Sequence, residues 1–139
     1  MIKSEIIHPE LIGALAKCGH KTQILIADSN YAVLSNTNPK AQIIYLNFAK
    51  NLLDATTILD RLLKCINVES ATMMEYPQDF DNTIVKEFTT LLGNDVPVNY
   101  LPRQDFYNTV KSDNTALVIA SGETRRFANI ILTVGVVKD

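Results

Sequence analysis

Two stretches decide the fold of this chain: CGHKTQILIADSNY at residues 18–31 and VIASGETRRFANIILTVGV at residues 118–136. In the first, an apolar run over 23–27 leads directly into Asp28 and further polar residues. In the second, one apolar run ends at Ser121 and another begins after Asn129. Hydrogen-bonding and titratable groups therefore lie at the ends of buried strands, where open α/β sheets bind their ligands.

The segments around these stretches alternate between helix and strand patterns. Apolar spacing and end signals predict helices from about Pro9 to Gly19, over 46–66, from Asp79 or Asp81 to Gly93, and around 106–110. Apolar runs predict strands at 23–27, 70–75, 116–121 and 129–136, and a strand at 96–101 whose Pro97 places it at a sheet edge or a bulge. Residues 29–45 are polar, with SNTNPK (35–40) as a surface loop.

This alternation predicts a three-layer, doubly wound α/β fold with a mostly parallel sheet and helices on both faces. The strands are continuously apolar, as expected when both faces of a sheet are covered. We find no linker, internal repeat or low-complexity segment, so residues 1–139 are predicted to form a single domain.

Composition excludes several classes of function. The chain is 47% hydrophobic and 20% charged with a net charge of −2, which suits a folded core and argues against nucleic-acid or anionic-membrane partners. No apolar stretch approaches the roughly 20 residues that cross a bilayer, and MIKSEIIHPE lacks the apolar core of a signal peptide. Cys18 and Cys65 are predicted to be buried thiols in a reducing cytoplasm. No His or Cys spacing suggests a metal site.

Two residues of the first stretch are candidates for acid–base chemistry. His20 has the side chain whose ordinary pKa, about 6.5, suits proton transfer at neutral pH. Alternatively, it is a loop histidine that caps the preceding helix. Asp28 could hold a ligand hydroxyl or orient a histidine, or it could close an Asx turn on its own backbone.

These two residues are far apart along an extended chain. Eight residues at about 3.3 Å each span about 26 Å. If His20 and Asp28 serve one site, either the chain turns back near residues 21–22 or the site is composite. A composite site takes His20 from one subunit and Asp28 from its neighbour, which favours an oligomer with pockets at subunit interfaces.

The second stretch offers further polar candidates. Gly122 is predicted to supply a turn with positive φ. Glu123 could be a general acid, a structural cap or the partner of an arginine. Arg125 and Arg126 either supply local positive charge or belong to an ordinary solvated surface. Asn129 can both donate and accept hydrogen bonds, or it is satisfied by backbone at a strand edge.

The residue pattern resembles the ribose pyranase/fucose mutarotase family over nearly the whole chain. The N-terminal family motif, PELL..LA..GHGDEI...D, is matched by Pro9, Glu10, Leu11, Ala16, Gly19, His20 and Asp28. The C-terminal motif, TGE...Y.N..L..GV, is matched by Gly122, Glu123, Asn129, Leu132, Gly135 and Val136. The fucose branch is favoured by Asp28, Asn30, Tyr31 and Ser35, and by Arg103 followed by Phe106 and Tyr107.

The resemblance implies a cofactor-independent isomerase that interconverts ring forms of a monosaccharide such as L-fucose or D-ribose. It implies that His20 and Asp28 are catalytic and that the substrate is bound by Arg103, Phe127, Asn129, Tyr31 and Glu123. It also implies a cytoplasmic homo-oligomeric ring, a decamer of two stacked pentamers, with sites between neighbouring subunits.

One departure from the family pattern bears on activity. The family has tyrosine where this chain has Phe127, so a hydroxyl that holds or protonates the sugar is missing unless Tyr31, Arg126 or a water replaces it. A non-catalytic sugar-binding or transport-accessory ring protein is therefore the alternative. A nucleotide-binding regulatory domain also fits the sheet, but the chain has no phosphate-binding loop motif.

Overall fold

A six-stranded sheet and four helices make up the computed structural model, which describes all 139 residues. The strands are β1 (Gln23–Ala27), β2 (Gln42–Tyr45), β3 (Val68–Met74), β4 (Val98–Leu101), β5 (Thr115–Ala120) and β6 (Ile130–Val134). The helices are α1 (Pro9–Ala16), α2 (Ala55–Leu63), α3 (Thr83–Leu92) and α4 (Arg103–Val110). None of these helices has the length and apolar character needed to span a bilayer.

The direction of β6 sets up the geometry of the site. The strand order is β2-β5-β1-β6-β3-β4, and β6 is antiparallel to both β1 and β3, whereas all other pairings are parallel. An antiparallel strand begins at the edge where its neighbours end. The residues that precede β6 therefore lie beside the carboxyl ends of β1 and β3. The predicted mostly parallel α/β sheet is confirmed.

Both faces of the sheet are covered, which explains the uninterrupted apolar strands. In β1, Ile24 and Ile26 pack into a cluster that includes residues of α1, α2 and α3, whereas Leu25 and Ala27 pack into a second cluster with α4. All four are fully buried. The predicted three-layer arrangement with helices on both faces is therefore correct, although α4 is the only helix in the second cluster.

The prediction of one long helix over 46–66 is wrong, because α2 begins at Ala55. The Oδ1 atom of Asp54 accepts a hydrogen bond from the Thr57 N–H at 2.8 Å and so starts the helix. Asn51 and Leu53 have positive φ, which a helix does not accommodate. The apolar spacing of residues 46–53 resembles a helical stripe, yet two members of that stripe, Leu52 and Leu53, are 52% and 38% exposed.

The helix that follows also begins at a residue that the sequence prediction did not choose. The cap of α3 is Asn82, whose Oδ1 accepts a hydrogen bond from the Val85 N–H at 3.0 Å, and neither Asp79 nor Asp81 caps it. Asn82 is buried under the start of the helix. The predicted end at Gly93 is confirmed.

The segment 29–45 contains an edge strand that the sequence prediction missed. Its strand, β2, has four residues of which only Ile44 is buried, so it presents no apolar run. The edge position predicted for the strand at 96–101 is confirmed as β4, at the side of the sheet opposite β2, although β4 begins at Val98 and Pro97 precedes it. The loop 35–40 is also less exposed than predicted, because Asn38 is buried and donates a hydrogen bond to the Thr115 carbonyl at 3.0 Å.

Neither cysteine is fully buried, and both are free thiols. Cys18 is half-buried beside the core, whereas Cys65 is exposed. The prediction of two buried thiols is therefore wrong for Cys65, which lies just beyond the C-terminal end of α2.

Gly122 is required by a close approach rather than by its own φ, since Gly93 is the only glycine with positive φ. Its N–H donates to the Leu53 carbonyl at 3.0 Å, and its carbonyl accepts from the Asn51 N–H at 2.7 Å. A Cβ atom at this position would overlap the backbone carbonyl oxygens of Ala49 and Leu52. The prediction of a positive-φ turn is thus wrong, and the glycine instead lets residues 46–54 dock against the loop that follows β5.

We expect Gly122→Ala to lower the free energy of unfolding by about 1–3 kcal/mol, because the added methyl group must displace backbone atoms. Urea unfolding at neutral pH measures the change. Gly19→Ala is the matched control, since a Cβ there has nothing within 4 Å. A Gly122→Ala variant as stable as the Gly19→Ala variant would show that the 46–54 segment moves aside without cost.

Candidate functional site

A cavity of about 320 Å³ opens at the carboxyl ends of β1 and β3. It is bordered by the first turn of α4 and by the loop between β5 and β6. Its volume is at the lower end of the range for small-molecule sites, about 300–1,000 Å³. The lining residues are Asp28, Asn30, Tyr31, Met74, Arg103, Tyr107, Arg126, Phe127 and Asn129.

The floor of the cavity is a reciprocal pair formed by Asp28 and Asn129. The Asn129 side-chain amide donates to Asp28 Oδ2 at 3.1 Å, and Asn129 Oδ1 accepts from the Asp28 backbone N–H at 2.8 Å. The other carboxylate oxygen, Oδ1, accepts from the Asn30 N–H at 3.0 Å, so Asp28 also closes the predicted Asx turn. The two residues are 101 positions apart and meet because β6 runs antiparallel to β1.

Burial is the largest influence on the pKa of the Asp28 carboxyl. The side chain is 4% exposed, and burial raises the pKa of its carboxyl above the ordinary value. Hydrogen bonds from the backbone N–H groups of Asn30, Ala128 and Tyr31 and from the Asn129 amide oppose that rise without cancelling it. A carboxyl with a raised pKa at the floor of a cavity is suited to exchanging a proton with a ligand.

Aromatic rings form two groups around the cavity. Phe127 has positive φ, and its ring packs edge-on against Phe80 at 5.1 Å and at a tilt against Tyr76 at 6.3 Å between ring centroids. On the α4 side, the rings of Tyr31 and Tyr107 meet edge to face at 5.6 Å. A left-handed backbone at a bulky residue is uncommon and is often associated with functional sites.

The hydroxyl groups of the two cavity tyrosines are in different situations. Tyr31 donates its hydroxyl hydrogen to the Asn36 carbonyl at 2.7 Å, and burial raises its pKa. Tyr107 makes no side-chain hydrogen bond within the chain and is half-buried. Tyr107 is thus the phenol in the cavity whose hydroxyl is free to donate to a ligand.

Glu123 lies outside the cavity and is bound to Arg125. Its carboxylate accepts from the Arg125 Nε at 3.0 Å and Nη2 at 3.1 Å, and from the Arg125 backbone N–H at 3.0 Å. Burial alone would raise the pKa of Glu123, but the hydrogen bonds and charge of Arg125 outweigh it and hold that pKa below its ordinary value. Arg125 also reaches Glu87 and Thr83 at α3, so the pair ties the β5–β6 loop to the helices.

We expect acid to weaken the fold through Glu123. Because its pKa is lower in the folded chain than the unfolded value of about 4.3, its contribution is fully present above about pH 4.3 and is lost as the pH falls through the folded value. Urea unfolding across this range should therefore show a smaller loss of stability on acidification for Glu123→Gln than for the native chain. Equal losses would show that other carboxylates carry the acid sensitivity.

His20 lies at the other end of the strands, just before β1 begins. Its Nε2 is 2.9 Å from the Glu69 Oε2 atom, and Lys21 binds the other oxygen of that carboxylate. Lys21 and His20 together lower the pKa of Glu69. The chain turns at residues 19–22, where the Thr22 N–H donates to the Gly19 carbonyl at 3.1 Å, but this turn leaves His20 beside Glu69 at the start of β3. The five residues of β1 span about 16 Å, so His20 and Asp28 of one subunit do not share a cavity.

The structure therefore brings together Asp28, Tyr31, Arg103, Phe127 and Asn129 of the predicted site, and leaves His20 and Glu123 outside the cavity. It adds four lining residues that were not in the predicted set. Tyr107 lies one helical turn after Arg103 on α4, and Met74 ends β3 beside Asp28. Asn30 lies in the Asx turn. Arg126, for which the sequence leaves open local positive charge or ordinary solvated surface, lines the cavity. Helical spacing could have indicated Tyr107, whereas Met74 required the strand order.

Comparison with known proteins gives these features a context. The model of the RbsD/FucU transport protein family matches residues 1–137. The chain belongs to the RbsD/FucU family. A D-ribose pyranase of Geobacillus kaustophilus is 31% identical over 98% of this chain and 95% of its own length. A second D-ribose pyranase, from Halalkalibacterium halodurans, is 26% identical over 99% of both chains.

Solved structures of RbsD/FucU proteins superpose on nearly the whole chain. RbsD of Bacillus subtilis, complexed with D-ribose, has a TM-score of 0.87 at 25% identity and covers 99% of this chain and 100% of its own. Fucose mutarotase of Streptococcus pneumoniae, in complex with L-fucose, has a TM-score of 0.79 at 26% identity with the same coverage. The family resemblance is confirmed, and the assignment to the fucose branch stays a prediction.

Proposed function

We propose that this protein is a cofactor-independent sugar mutarotase that interconverts ring forms of a monosaccharide at the cavity of Asp28 and Asn129. The observation that carries the proposal is the buried carboxyl–amide pair at the floor of a small polar cavity. RbsD/FucU relatives named D-ribose pyranase and fucose mutarotase support the same chemistry.

Mutarotation needs a base at the anomeric hydroxyl and an acid at the ring oxygen, the two oxygens that are bound to the anomeric carbon. Mutarotation removes a proton from the anomeric hydroxyl while the ring oxygen is protonated, and the open aldehyde then recloses on either face. Water performs these steps slowly, so acid–base help of about 10² to 10⁴-fold suffices. Asp28 provides one group, with Asn129 and Arg103 positioning hydroxyls.

The second acid–base group in this proposal is His20 of a neighbouring subunit. Its imidazole is half exposed, and the Glu69 carboxylate at 2.9 Å orients the ring. Within a subunit, His20 lies where β1 begins and Asp28 lies where β1 ends. A head-to-tail contact between copies therefore brings His20 of one subunit to Asp28 of the next and completes the site. A closed ring satisfies this contact for every subunit, and we propose the decamer of two stacked pentamers and a cytoplasmic location.

The hydroxyl missing at Phe127 has a substitute in this proposal. The Tyr31 hydroxyl hydrogen is committed to Asn36, whereas the Tyr107 hydroxyl has no partner and lines the same cavity. Tyr107 thus supplies the phenol that holds or protonates the sugar. If it does not, Phe127 favours the second candidate function, a ring protein that binds a sugar without converting it.

Saturation-transfer NMR between sugar anomers tests the proposal. L-Fucose and D-ribose are each measured with and without protein, and exchange is expected to accelerate for at least one of them. A folded oligomer that raises its melting temperature with a sugar but leaves exchange at the uncatalysed rate would support the binding role instead.

A further inference from the structure

The arginines of this chain fall into two pairs. Arg61 and Arg125 are neutralised by carboxylates: Arg61 binds Glu5 at 2.8 Å, and Arg125 binds Glu123. Arg103 and Arg126 have no ion pair or side-chain hydrogen bond within the subunit, and both line the cavity. The two unneutralised guanidinium groups thus lie on the proposed site.

Aromatic packing holds Arg126 over the cavity without neutralising it. Its guanidinium carbon lies 5.1 Å from the centroid of the Phe127 ring and 5.5 Å from that of Phe80. A cation–π contact fixes the plane of the group but uses none of its N–H donors. Those donors remain free to bind an oxyanion in the two-pronged geometry that arginine favours.

The cavity has more positive charge than a neutral sugar needs. Within one subunit its only carboxyl is Asp28, which is 4% exposed and already accepts hydrogen bonds from Asn30 and Asn129. The Glu69 carboxylate that a neighbouring subunit would bring with His20 is already paired with Lys21. In the proposed function, Arg103 positions sugar hydroxyls. Arg126 has no such role and lies at the exposed rim.

We propose that the monosaccharide taken by this cavity carries an anionic group, a phosphate or a carboxylate, bound at the rim by Arg126. This inference rests on the proposed mutarotase function and names its substrate class. The anion cannot be on the anomeric oxygen, because a substituent there blocks ring opening. It is therefore on a carbon other than the reacting one, so that the anion meets the exposed Arg126 while the reacting carbon faces the buried Asp28.

Matched neutral and anionic sugars test the inference by anomer exchange in NMR. We compare D-galactose with D-galacturonate and with D-galactose 6-phosphate, all of which form the same pyranose ring, subtracting the exchange of each sugar without protein. At sub-saturating concentrations, the protein-dependent rate should be about tenfold or more higher for the anionic member, as one charge-assisted hydrogen bond provides. The galacturonate and galactose 6-phosphate results distinguish a carboxylate from a phosphate.

Variants and salt separate charge recognition from other causes of a preference. Arg126→Gln should remove most of the anionic preference, and Arg126→Lys should restore part of it. Arg61→Gln is the matched control and should leave the preference unchanged. Raising the salt from about 20 to about 300 mM should also reduce the preference, because the rim is open to solvent.

Failure of the inference is distinguishable from failure of the function. If the acceleration is equal for both members of a pair, or greater for the neutral one, the proposal of an anionic substrate is wrong and the proposed mutarotase function is unaffected. If no sugar exchanges faster with protein, the proposed mutarotase function is wrong. Thermal shifts with the same sugars then test whether the cavity recognises an anion. A larger shift with the anionic member that is lost in Arg126→Gln supports anion recognition, and equal shifts overturn it.

Discussion

Replacing His20 by alanine should abolish the accelerated anomer exchange and leave the protein folded. The proposed acid–base role accounts for about 10² to 10⁴-fold in rate. The stability cost should be small, since the contact of His20 with Glu69 is open to solvent and such surface contacts contribute little. Saturation-transfer NMR and urea unfolding measure the two effects separately.

The other histidine of the chain is the matched control. His8 caps α1, where its Nδ1 accepts a hydrogen bond from the Leu11 N–H at 3.2 Å. His8→Ala should cost about 0.5–2 kcal/mol of stability and leave exchange unchanged, which is the reverse of the His20 pattern. Unchanged exchange in a folded His20→Ala oligomer would show that His20 is not an acid–base group of the reaction.

Mixing two inactive variants tests whether the site is shared between subunits. In rings assembled from equal amounts of His20→Ala and Asp28→Ala subunits, about a quarter of head-to-tail interfaces combine an intact His20 with an intact Asp28. Exchange should therefore return to about that fraction of the native rate, although each variant alone is inactive. If both residues act within one subunit, mixing restores nothing.

The second large effect is expected at the Asp28–Asn129 pair. Asp28→Asn places an amide donor against either the Asn129 amide or the Asn30 N–H, whichever way the new side chain turns. An unsatisfied buried donor costs about 1–3 kcal/mol, which we expect to exceed the relief from removing a buried charge. Asn129→Asp instead sets two buried carboxylates side by side.

The pH dependence of Asn129→Asp has a definite sign. Two adjacent carboxylates cannot both ionise readily, so the pair holds a proton more tightly in the folded chain than in the unfolded chain. A raised pKa makes the fold most stable below the unfolded value of about 3.9 and less stable as the pH rises through the folded value. Urea unfolding should thus show this variant losing stability between acid and neutral pH.

Exchanging the two residues is the sharpest control. In Asp28→Asn/Asn129→Asp, the new amide donates to the new carboxylate, and both backbone N–H groups keep acceptors. Stability should recover by about 1–3 kcal/mol relative to the sum of the single changes, as expected for a coupled pair. Exchange should stay lost, because the carboxylate has moved. A double variant no more stable than that sum would show that the reciprocal hydrogen bonds do not couple the residues.

Local physics made much of the fold predictable. The strands β1, β5 and β6 follow from apolar runs, and α1 follows from Pro9 and its apolar face. The failures have local causes as well. Capping by Asp54 and the positive φ of its neighbours override a helical stripe, and β2 is too short and exposed to leave an apolar pattern.

The sequence alone determined that polar groups follow the buried strands, because hydrophobic periodicity and strand ends are properties of a few consecutive residues. It also established that His20 and Asp28 are too far apart along an extended strand to meet without a turn or a second copy. These conclusions need only chain geometry.

Only the tertiary structure decided which of those groups meet. Asn129 reaches Asp28 because β6 lies antiparallel between β1 and β3, and Glu123 is removed from the cavity because Arg125 binds it. Strand order, register and the choice among ion-pair partners depend on contacts between distant residues, which leave no local pattern. That Arg103 and Arg126 have no carboxylate partner within the subunit is likewise known only from the tertiary structure.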